Sequence, residues 1–101
     1  MSETPLLDTL ADMTEASVDH TSLDGRELML VRIAALAAAD APPASYLLNI
    51  GPALDAGLTL EDAQGVLVAI APIVGGPATV TAARAIADAL GLAIALTDDE
   101  E

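Results

Sequence analysis

Between Ala63 and Ala83 the chain carries no charge. That stretch is long enough to cross a bilayer as one helix. Pro72 and the Gly75-Gly76-Pro77 triplet break it, and Gln64, Thr79 and Thr81 dilute it. The run therefore reads as two apolar helices meeting at a turn. No Lys/Arg cluster flanks it to set a membrane orientation. Two oily helices turning back on each other must bury their faces on something. In a chain of 101 residues there is room for one thin core.

The same punctuation divides the rest. Leu6, Leu7, Leu10 and Met13 recur at helical spacing and predict a short helix over 5–15. Val18 to Ser22, with His20, reads as a loop. Asp24 with Glu27 forms a capping-box pattern opening a helix that runs to Ala39. Its apolar positions wrap nearly all the way round, the pattern of a buried helix. Asp40-Ala41-Pro42-Pro43 stops it. A third helix is expected from Pro43 to Ala56, kinked at Gly51-Pro52, with Gly57 as its stop. Thr59 caps a fourth ending at Gly75-Gly76, and Glu61 and Asp62 suit its positive end. A fifth runs from Pro77 to Leu90, stopped by Gly91. Leu92 to Leu96 reads as a last helical turn or an arm docking on a neighbour. No strand signal or internal repeat stands out. The fold class is all-α, a compact array of about five helices. One helical domain covers 1–96, followed by an acidic, frayed tail, 97–101.

Composition adds three constraints. The chain is 53% hydrophobic and only 1% aromatic, so small aliphatic side chains supply the oil. A lone subunit of this size has too little interior for it, and the surplus predicts a homo-oligomer. A net charge of −13, with Arg26, Arg32 and Arg84 the only cations, argues against nucleic acid and against anionic membranes. Cysteine is absent, which removes disulfides and thiolate chemistry. With a single histidine, His20, no multi-histidine metal site is expected, nor any cofactor. The acidic N-terminus lacks the basic region of a signal peptide, and a cytoplasmic location is expected.

Three segments occur in an order that is similar to the carboxymuconolactone decarboxylase family, which includes the alkylhydroperoxidase D-like proteins. They are Leu23-Asp24-Gly25-Arg26-Glu27-Leu28, then Ala53 through Asp62 (ALDAGLTLED), then Val66 through Ala78 (VLVAIAPIVGGPA). The likeness covers Leu23 to Leu90. It implies a helical fold assembled as trimers or hexamers, with decarboxylase or peroxide-reducing chemistry. In the redox branch a Cys-x-x-Cys pair and a histidine precede the second segment. Those places fall on Pro42, Ser45 and Asn49 here. In the decarboxylase branch a glutamate and a histidine occupy the latter two. Both chemistries lose their nucleophile or proton carrier.

Four residues remain as candidates for catalysis. Asn49 and Tyr46 share one face of the third helix with Ser45. They form either a neutral pocket that orients a ligand carbonyl or carboxylate, or a packed polar cluster. Arg32, among Leu28, Met29, Ile33 and Leu36, either clamps a small carboxylate or pairs with an acid. Glu27 matches the family's relay glutamate, and equally fits a capping role. Two functions follow. One is a structural or small-ligand-binding member without peroxidase activity. The other is a cysteine-independent decarboxylase: Arg32 holds the carboxylate, Tyr46 and Asn49 polarise the departing or enolising group, and Glu27 moves the proton. A weaker third has the apolar surplus docking a partner protein.

Overall fold

The computed structural model describes residues 3–98, which form five α-helices and no strand. They are α1 (Pro5–His20), α2 (Gly25–Ala38), α3 (Pro43–Asp55), α4 (Leu60–Val74) and α5 (Gly76–Asp98).

The helix starts are chemical. The Glu27 amide donates to Asp24 Oδ1 at 2.8 Å, and the Asp24 amide donates to Glu27 Oε1 at 3.1 Å. Thr59 and Asp62 repeat this reciprocal cap on α4, the Thr59 amide reaching Asp62 Oδ2 at 2.8 Å. Each box satisfies amides that the first helical turn leaves without partners.

Two helix ends share one geometry. After α3, the Leu58 amide bonds the Ala53 carbonyl and the Gly57 amide bonds that of Leu54, with Gly57 at φ 84°. After α2, the Ala41 amide bonds the Leu36 carbonyl and the Asp40 amide that of Ala37, with Asp40 at φ 57°. Both are Schellman ends, which need one left-handed residue. Asp40, not the prolines, stops α2.

Other boundaries differ from expectation. α1 passes Glu15 and takes in Val18 and His20, because nothing from Ala16 to Asp19 breaks a helix. His20 sits in its last turn, exposed, not in a loop. α5 runs through Gly91, which is not left-handed, on to Asp98. A glycine inside a helix costs about 1 kcal/mol but ends it only at positive φ. The expected tail thus begins inside α5, and residues 99–101 lie outside the described residues. α2 buries only the stripe Met29, Ile33 and Ala37, and Val31 on its far side is exposed. Alanine made its pattern look oily all round, yet alanine is at home on exposed helix surface.

The core lies between α2, α3, α4 and α5 in three patches. Met29, Ile33 and Leu58 form one; Ala37, Leu67 and Ala82 the second; Tyr46, Ala85 and Ala89 the third. Ile86 of α5 packs against all three. Alanines facing inward from α5 let that helix approach its neighbours closely. By contrast α1 buries no residue at all. Its Leu6, Leu7, Leu10 and Met13 are exposed, with Asp8, Asp12, Glu15 and Asp19 along the opposite face.

No single helix among the described residues is long and apolar enough to cross a membrane. α3 and α4 reach that level only as a pair, bent by 120°.

Candidate functional site

A cavity of about 100 Å³ opens among α2, α3, the start of α4, and α5. Ile33 and Leu36 line it from α2, Tyr46, Asn49 and Ile50 from α3, and Ile86 and Leu90 from α5. Leu54, Thr59 and Leu60, all exposed, stand at its mouth. No charged side chain lines it.

The prolines at the start of α3 set the presentation. Pro42 is extended and Pro43 enters the first turn, where its missing amide costs nothing. Three residues on, Tyr46 points into the interior and is 4% exposed. Its hydroxyl is buried without a hydrogen-bond partner among the described residues. A buried hydroxyl left so costs about 1–3 kcal/mol of desolvation. Burial pushes its pKa up, and the nearby Asp40 carboxylate adds to the rise.

Asn49 lies one turn further along the same face. Its Nδ2 donates to the Ser45 carbonyl at 2.9 Å. A carbonyl only accepts, so the amide orientation is fixed and Oδ1 is the acceptor left over. Ser45 contributes this carbonyl and does not line the cavity.

Tyr46 and Asn49 therefore meet at one cavity, while Arg32 and Glu27 do not join them. Glu27 is exposed and closes the α2 capping box. Arg32 is half-buried on the flank of α2, outside the cavity, and makes no hydrogen bond or ion pair with any described residue. The cation with a partner is Arg26, whose Nη2 meets Asp62 Oδ1 at 2.7 Å. That pair, with the Thr59 amide, holds the Asp62 carboxyl at about 2.

Sequence reasoning missed the apolar wall of the cavity. Its signal was available in the i, i+3 and i, i+4 pairs Ile33/Leu36 and Ile86/Leu90. Such pairs mark any buried helix face, so spacing alone does not tell a filled interior from a hollow one.

The sequence model of the carboxymuconolactone decarboxylase family matches residues 4–89. The match takes in α1, which lies outside the segments that first carried the likeness. No curated protein and no solved structure gives a significant match.

Proposed function

We propose that this chain, which belongs to the carboxymuconolactone decarboxylase family, is a ligand-binding member that does not reduce peroxides and works as a homo-oligomer. The apolar cavity that Tyr46 and Asn49 help to line carries the reading. An apolar cavity with few polar groups on its wall suits a small, mostly apolar ligand.

Catalysis draws less support. Without cysteine there is no thiolate to attack a peroxide. A decarboxylase needs a group that moves a proton and one that holds the carboxylate. Glu27 and Arg32, the candidates for those roles, lie outside the cavity.

Assembly rests on the surface. Ile73 is 86% exposed and Leu48 72%, and the apolar stripe of α1 is uncovered. Contact between copies would remove this oil from water. Trimers or hexamers are the expected sizes.

Native mass spectrometry of the purified protein tests both parts. The expected spectrum shows a closed homo-oligomer with a small neutral molecule retained. A folded monomer at low micromolar concentration overturns the assembly. An oligomer without bound mass, which also takes up no small apolar probe, overturns the ligand reading. Peroxide consumption with a dithiol reductant should stay at the protein-free rate.

A further inference from the structure

We infer that α1 of one copy lies across the cavity mouth of another, its apolar stripe seated on Leu54 and Leu60, so that the cavity is closed only in the assembly. This rests on the assembly part of the reading above and names the two surfaces that meet.

α1 needs a partner. It has 16 residues and buries none of them in its own subunit. A free helix of roughly 15 residues is marginal in water even when rich in alanine. The family model begins at residue 4, so α1 belongs to the domain. Its connection to α2 is short and ordered. The Thr21 amide bonds the Ser17 carbonyl at 3.0 Å, the Leu23 amide donates to Thr21 Oγ1 at 3.2 Å, and Asp24 already caps α2. These contacts hold α1 away from its own core.

Its two faces narrow the choice of partner. Leu6, Leu7, Leu10 and Met13 form one side, each at least 44% exposed. Asp8, Asp12, Glu15 and Asp19 form the other. A helix that lies on a membrane carries Lys and Arg on its polar face. This one has neither. A protein surface is selected, met by the leucines with the acids turned to water.

A second copy offers two concave surfaces. The groove between α2 and α4 has Glu61 and Asp62 on its wall, and its cation, Arg26, is already paired. Like charges brought together across an interface disfavour it, so an acidic helix is turned away there. The cavity mouth has no charged side chain, and Leu54 and Leu60 on its rim are 64% and 57% exposed. An uncharged leucine ridge meets an uncharged leucine rim. Each copy gives one stripe and receives another, either around a ring or across a two-fold axis. Covering both surfaces brings every subunit to the order of 800 Å² that a partner in a specific interface buries.

The chain has no cysteine, so introduced thiols report alone. Leu10→Cys and Leu60→Cys are made as separate variants, mixed, left to exchange subunits, and treated with a short bismaleimide. The expected product joins the two positions across chains, several-fold in excess of pairs formed within either variant alone. Amide exchange on the wild type is the second measurement, and it decides if a thiol variant fails to assemble. Residues 5–20 and 54–60 should both be protected in the oligomer and lose that protection on dilution to monomer. A dominant pair within the Leu10→Cys variant alone sets α1 against α1 and overturns the proposal. So does linkage confined to one chain in the double variant, or no mixed pair between variants that remain oligomeric. Free exchange of 5–20 in an intact oligomer overturns it too, and leaves assembly through other faces. A wild type that stays monomeric at every concentration overturns the assembly reading itself.

Discussion

Arg26 and Asp62 meet through two parallel contacts, Nη2 to Oδ1 at 2.7 Å and Nη1 to Oδ2 at 3.2 Å, tying the first turn of α2 to the first turn of α4. Asp62 also closes the α4 capping box. One carboxylate thus links a tertiary contact to a helix start. Its pKa is depressed in the fold to about 2 from 3.8. A depressed carboxyl stabilises the fold above its unfolded pKa, and the effect is lost as pH falls from about 4 toward 2. Thermal melts at pH 7, 4 and 2 should show that loss in the wild type. Arg26→Met should start lower at pH 7 and fall less over the same window, because its Asp62 titrates nearer the ordinary range.

Tyr46→Phe removes a hydroxyl whose desolvation is uncompensated in the empty protein. The ligand-free variant should be as stable as wild type or more so, by up to about 1–3 kcal/mol in chemical denaturation. Base separates the two further. With its pKa raised in the fold, Tyr46 holds its proton longer than the unfolded chain does. Wild-type stability should therefore decline as pH rises above 10 more steeply than that of the phenylalanine variant. A clear loss of stability in Tyr46→Phe at neutral pH would show that the hydroxyl already has a partner in the assembled protein.

Asp40 holds a left-handed conformation to end α2. Glycine takes that conformation without the Cβ clash, so Asp40→Gly should stabilise the fold by about 0.5–1 kcal/mol, read from the urea midpoint. It also removes a carboxylate whose charge raises the Tyr46 pKa, so the tyrosine should ionise at lower pH, followed by absorbance at 295 nm.

Ile86 touches all three core patches. Ile86→Ala should cost about 2–4 kcal/mol. Ile73→Ala, on an exposed face of α4, should change the stability of a single subunit by less than about 0.5 kcal/mol. A comparable loss in both would mean that Ile73 is covered in the assembly.

Leu10→Glu places a charge on the apolar stripe of α1. Because α1 buries nothing within its own subunit, each subunit should keep its fold. Sedimentation velocity should show smaller species if α1 docks on another copy. An unchanged oligomer would confine assembly to other faces.

Much of the helical layout was legible because caps and breakers act locally. The Asp24/Glu27 and Thr59/Asp62 boxes, Pro43 at the start of α3, and Gly57 and Gly75 each do in the fold what their chemistry predicts. Glycine misled at Gly91, where no left-handed turn forms. Alanine misled along α2, since it is apolar in a pattern yet content in water. The site was half legible. The polar face of α3 showed in the i, i+3 spacing of Tyr46 and Asn49. That Arg32 and Glu27 stand elsewhere was not, because their positions depend on how α2 rotates against α3, α4 and α5, a matter of packing between distant segments.

Ala89 is 0% exposed, closes α5 onto the Tyr46 patch, and also forms part of the cavity wall. Any bulkier residue there would overpack and push α5 off the Tyr46 patch. Firmness of the subunit and width of the chamber are therefore set by the same methyl group, and a substitution meant to narrow the chamber from this position would first unseat the helix that forms its wall.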